Sequence, residues 1–123
     1  MLDVRTVPGA HHELIDRVQR AVRGEVRVLS ERLEPRETDP TEAVVRAALQ
    51  ARPGAQVYGS ATMSDLVFLR GVPAIKCGPG RSERSHTPDE FVLEEEILQG
   101  ASFYSDFVAE LAATGVPDVA TMG

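Results

Sequence analysis

An imidazole set in a polar, glycine-rich loop can hold a metal ion, move a proton or simply brace a turn, and in this chain the residue that raises the question is His86. It stands in CGPGRSERSHTPDEFV, Cys77 to Val92, between a Gly-Pro-Gly turn and an acidic pair that opens an apolar segment. A neutral imidazole is a good zinc ligand. A purely structural role is equally concrete: Thr87 suits a helix N-cap, Pro88 the first helical position and Glu90 the third, so His86 would merely precede a helical turn. Spacing alone leaves both open. The adjacent His11 and His12 read as surface residues in the first turn of a helix. Cys77, ending an apolar strand, reads as a small buried hydrophobe, and Glu94 to Glu96 as a solvated face where the helix dipole favours carboxylates. Asp65 could cap or orient a neighbour.

The elements that must position these residues follow from periodicity. LDVRTVP alternates Leu2, Val4 and Thr6 against Asp3, Arg5 and Val7, the pattern of a half-buried strand ended by Pro8-Gly9. Leu14, Val18 and Val22 recur at helical spacing, with Gly24 as a stop. EVRVLSERL alternates again. The proline-rich, charged EPRETDPTE marks a boundary, so residues 1–36 form one domain and 37–123 another. Asp39, Pro40 and Glu42 then signal a helix start whose apolar face is Val44, Ala47, Ala48 and Ala51. A strand near AQVYG, a helix in TMSDLVFLRG and a strand VPAIKC come next, and Ile97, Ala101, Tyr104, Val108 and Leu111 predict a helix from about Leu93 to Ala113, Gly100 notwithstanding. Helix and strand in alternation predict an α/β fold, a parallel sheet covered by helices, preceded by a strand-helix-strand unit. In such a sheet ligands sit outside the carboxyl ends of the strands, which is where YGSATMSD and GPGRSERSH leave.

Composition narrows the function classes. Of 123 residues, 42% are hydrophobic and 26% charged, a globular balance, and no apolar run approaches a membrane span. Residues 1–36 hold seven Arg and six acidic groups, net +1, which leaves –7 for residues 37–123. With no Trp and no basic patch, neither nucleic acid nor a membrane is an expected partner. A single cysteine and the lack of a secretory pattern at the start make the reducing cytoplasm the expected compartment.

The stretch GSATMSDLVFLRGVPAIKCGPGRSERSHTPDEFVLEEEILQGASFYSDFV resembles the C-terminal end of M20-family zinc metallopeptidases and deacylases, the group of acetylornithine deacetylase, succinyl-diaminopimelate desuccinylase and carboxypeptidase G2-like enzymes. The family runs a Ser/Thr/Asp loop, a helix, a Gly-Val/Ile-Pro strand, Gly-Pro-Gly and His-x-x-Asp-Glu, and all are present here in that order. LDVRTVPG with the helix after it is similar to the second half of the family's ferredoxin-like lid or dimerisation domain.

The resemblance implies that His86 is a zinc ligand, in a site that takes one or two zinc ions or cobalt, with Asp89 or Glu90 accepting the other ring N–H. It places Gly78 and Gly80 against the substrate, matches Arg5 to a lid arginine that grips a substrate carboxylate, and puts Ser64 on the substrate side and Asp65 behind the ligands. It further implies a substrate that is an N-acyl amino acid or small peptide, deacetylase chemistry of amino-acid biosynthesis, and a homodimer through lid strands, Leu2 to Val7 being the edge. The chain departs from the family in having no His-x-Asp, no Glu-Glu general-base motif and no further carboxylate ligand ahead of the lid. A catalytic zinc usually takes three protein ligands, so these 123 residues alone are expected to bind zinc weakly and not to hydrolyse. The alternative is a non-catalytic dimerisation or binding module of the same descent, with apolar surface left for partners to cover.

Overall fold

Three α-helices carry the structure, a computed structural model that describes Met1 and residues 3–114: α1 (His11–Ala21), α2 (Ala43–Ala51) and α3 (Glu94–Ala113). Two single 3₁₀ turns, Asp65–Phe68 and Ser82–Arg84, complete the regular elements. Leu2, the outer residue of the proposed edge, and the tail from residue 115 lie outside the described residues. Among the described helices, none is long and apolar enough to cross a membrane.

The expected α/β fold is not what forms. The described residues contain no strand and hence neither a parallel sheet nor a strand-helix-strand lid half. Alternation marks a segment that would suit a pleated surface, but a strand exists only with a ladder partner. Here arginine side chains reach carbonyls of the expected strands at Arg32 and Val72, and of the loop and turn between them at Ala61 and Leu66. Arg5 Nη1 donates to Ala61 O (2.9 Å), Arg36 Nη1 and Nη2 donate to Leu66 O (3.0 Å) and Val72 O (2.9 Å), and Arg70 Nη2 donates to Arg32 O (3.1 Å). With no sheet, YGSATMSD and GPGRSERSH do not leave the carboxyl ends of strands. TMSDLVFLRG likewise yields only the four-residue turn Asp65–Phe68, closed by Leu69 N–H to Leu66 O (3.0 Å) and followed by Gly71 at φ 74°.

The chain divides into two compact units, one formed by Met1–Thr38 with Gly59–Val72 and the other by Asp39–Tyr58 with the described residues from Pro73 on. In the first, α1 sets Leu14, Ile15 and Val18 half-buried, as its spacing predicts, while Val22 is exposed. His11 does not behave as a free surface residue. Its Nδ1 meets Thr6 Oγ1 at 2.8 Å and its Nε2 meets Glu31 O at 2.9 Å, so the ring ties the opening segment to residues 25–33. A carbonyl only accepts, so Nε2 carries the proton and donates to Glu31.

In the second unit α2 packs on α3. Asp39 does not cap α2 directly: its Oδ1 accepts from Thr41 N–H (2.7 Å) and Thr41 Oγ1–H (2.6 Å), making a turn ahead of the helix, and Glu42 is the N-cap residue. Val45 (3% exposed) and Ala47 (0%) of α2 are the buried hydrophobic core among the described residues. On α3 the half-buried positions are Glu96, Gly100, Phe103, Phe107, Glu110 and Leu111, with the Phe103 and Phe107 rings stacked at 5.7 Å. Most of the stripe expected to face the core is on the other side: Ile97 (51%), Tyr104 (41%) and Val108 (63%) are exposed. The helix is apolar around much of its circumference, and periodicity cannot say which of two apolar faces is covered.

Candidate functional site: the loop from Cys77 to Leu93

The second unit builds the loop that carries His86 onto the first half of α3. Tyr104 OH donates to Cys77 O (3.0 Å). Pro79 rests against Gly100, where a Cβ would come within 3.1 Å of the proline Cβ. That close approach explains a glycine in the middle of a helix, where it costs about 1 kcal/mol relative to alanine. Gly80 has φ 84°, and a Cβ there would lie 3.4 Å from Val92 Cγ2. At the far end Glu96 Oε2 accepts from Leu93 N–H (2.9 Å) and from Arg84 Nη1 (2.7 Å). This is the carboxylate half of a capping box, because Leu93 has no side-chain acceptor to complete it. The Arg84 guanidinium also lies 4.5 Å from the centre of the Phe91 ring.

Between these anchors the chain turns through Ser82–Arg84 and reaches His86, whose φ of 61° is the one left-handed non-glycine conformation among the described residues. His is among the residues that tolerate this region, but a non-glycine residue persists there only when its surroundings hold it. Two bonds do so: Glu90 Oε2 accepts from His86 N–H (3.1 Å), and Thr87 Oγ1 donates to Arg84 O (2.8 Å). The helix start expected at Thr87-Pro88 does not form, and Thr87 and Glu90 close a turn around the histidine instead.

Leu93 N–H is the first cause that holds the Glu96 carboxyl below its ordinary value; Arg84 and the Arg81 charge add to it against a contribution from burial. Asp39 is lowered by its two bonds to Thr41. Burial raises the Tyr104 phenol, with the Cys77 thiol beside it adding in the same direction. Cys77 itself is exposed, which corrects the expectation of a buried residue.

His86, Gly78, Gly80, Asp89 and Glu90 are thus together in one unit, while Arg5, Ser64 and Asp65 belong to the other. Glu90 meets the backbone of His86 rather than its ring. Asp89 is exposed. Ser64 precedes the Asp65–Phe68 turn without a side-chain capping bond, and Asp65 occupies its first position. Arg5 lines a shallow cleft of about 210 Å³ with Val4, Thr6, Val7, Ala10, Glu13, Leu14 and Arg17. Sequence reasoning missed Arg84 and Glu96. The spacing of Glu96 three residues after the cap position Leu93 was the available signal, and nothing local pointed to Arg84, twelve residues away.

Residues 20–110 match the sequence model of peptidase family M20/M25/M40, and the chain belongs to that family of metallopeptidases and related hydrolases. No curated protein and no solved structure matches the chain. Members of the family generally bind zinc or another divalent metal. The described residues do not fit a zinc centre of their own, because they bring no group of three His, Cys, Asp or Glu side chains together. His86 offers a single imidazole.

Proposed function

We propose that this chain carries the substrate-side loop and one metal donor, His86, of a zinc or cobalt amidohydrolase that removes the acyl group from an N-acyl amino acid, with acetylornithine-like substrates the first class to test. The observation that supports this reading is the held left-handed backbone of His86, directly after a Gly-Pro-Gly turn, within the matched span. Backbone strain of this kind clusters at functional sites. Gly78 and Gly80 would let the substrate approach the backbone of the same loop. The general base and the remaining donors would come from polypeptide outside these 123 residues, so the chain alone is expected to leave N-acetylornithine intact. Site-resolved NMR of the histidine rings during a Zn²⁺ titration tests the assignment. The His86 ring should shift, ahead of His11 and His12; a His86 ring indifferent to Zn²⁺ would remove the donor role.

A second reading has an observation of its own. Val57, Tyr58, Phe91, Leu93, Ile97, Leu98 and Val108 are exposed in the second unit, against two buried hydrophobic residues, and large bare apolar surfaces mark association sites. On this reading the chain is a dimerisation or binding module, and the opening segment up to Val7 pairs with a second copy. Sedimentation equilibrium combined with the Zn²⁺ titration decides it: a stable homodimer whose His86 ring ignores Zn²⁺ favours the module, and a His86 ring that binds Zn²⁺ favours the hydrolase in either state of association.

A further inference from the structure

The geometry points to Arg84 as the positioning residue for His86, an inference that rests on the donor reading above and adds to it. Arg84 is anchored at its tip and used at its backbone. The guanidinium is fixed by Glu96 Oε2 at 2.7 Å and by the face of Phe91 at 4.5 Å, both outside the turn it belongs to. Its carbonyl oxygen accepts the Thr87 hydroxyl at 2.8 Å. Residues 84 to 87 are therefore closed into a short loop whose first residue is nailed to the start of α3, and His86 is the residue inside that loop with φ of 61°. The only other hold on the His86 backbone among the described bonds is the contact of its N–H with Glu90. Removing the Arg84 anchor frees the carbonyl that orients Thr87, and the histidine then relaxes to negative φ, turning its ring in a new direction.

Lysine is a poor substitute here, because an ammonium could meet Glu96 but lacks the flat face that lies over Phe91 at the same time. Groups bonded directly to a metal-binding histidine typically matter about 10–100-fold for affinity, and Arg84, which acts through the backbone and not on the ring, is expected at the low end of that range.

The test uses the whole chain, isotope-labelled and free of metal. A strong Overhauser effect between the amide proton and Hα of His86 reports positive φ directly. It should be present in the wild-type chain and in Thr87→Ser, and absent in Arg84→Ala and Thr87→Val, while helical ellipticity at 222 nm stays at its wild-type level. Arg84→Lys should weaken it. If Arg84→Ala keeps the strong effect, or if Thr87→Val keeps it, the positioning role is overturned. Zn²⁺ titration of the same samples separates the two ideas. A His86 ring that ignores Zn²⁺ in the wild type ends the donor reading and leaves the backbone result to stand or fall by itself. A ring that responds in the wild type and about tenfold more weakly in Arg84→Ala supports both.

Discussion

Gly100→Ala is the substitution whose outcome the structure reverses relative to the sequence. In an exposed helix interior the change stabilises by roughly 0.8–1 kcal/mol, because alanine restricts the unfolded chain and favours helical dihedrals. In α3 the new methyl would lie 3.1 Å from Pro79 Cβ, 3.6 Å from its Cγ and 3.8 Å from its Cα. Carbon pairs are comfortable at about 3.5–4.0 Å, so two of these contacts are good and one forces a movement of a few tenths of an ångström. Overpacking of that kind typically costs about 1–3 kcal/mol. The expected balance runs from no change to about 2 kcal/mol of destabilisation. Urea unfolding followed at 222 nm measures it. With a slope of about 2 kcal/mol per molar for a chain this size, a difference of 1 kcal/mol moves the midpoint by about 0.5 M. The same Gly100→Ala change in a Pro79→Gly background should recover the full helix gain of about 1 kcal/mol, because the pressing ring is gone. A midpoint raised by about 0.5 M in the presence of Pro79 would refute the packing argument.

Two further outcomes follow from named bonds. Glu96 is held below its ordinary carboxyl value of 4.5, so its contribution is complete above that value and is lost as the pH falls through the lower folded value; Glu96→Gln should flatten the acid side of the stability profile, measured by urea midpoints across the acid range. Arg36→Ala removes both donors to Leu66 O and Val72 O, and should destabilise the first unit by about 1–2 kcal/mol, seen as faster amide exchange at Val67 and Leu69 with α3 unaffected.

The three helices were legible because each repeats apolar residues at helical spacing over several turns; Leu14 and Val18 in α1 and Ala47 and Ala48 in α2 are where that spacing places them. The strands were not, since Val26, Val28 and Ser30 satisfy the alternation whether or not a second segment lies beside them, and pairing is a property of two segments. The loop was half legible. Its punctuation singled out His86, and the Thr87 and Glu90 chemistry was recognised, but its use to close a turn depends on Arg84 reaching α3, a contact with no local signature. Pro79 against Gly100 was similarly invisible, since a glycine inside a helix looks like a weakness until its neighbour is known.

The arginine ties of the first unit have a consequence for how the molecule meets its solution. Arg5, Arg36 and Arg70 are bound to peptide carbonyls, which are dipoles without net charge, whereas Arg84 in the second unit faces the carboxylate of Glu96. Mobile ions screen charges across a Debye length of about 8 Å at physiological ionic strength, and they act far less on a pair in contact at 2.7 Å whose side chains are only 21% and 19% exposed. Salt at that strength therefore leaves the anchor of the histidine loop nearly as intact as the arginine-carbonyl ties of the first unit, so a change of ionic strength passes over both.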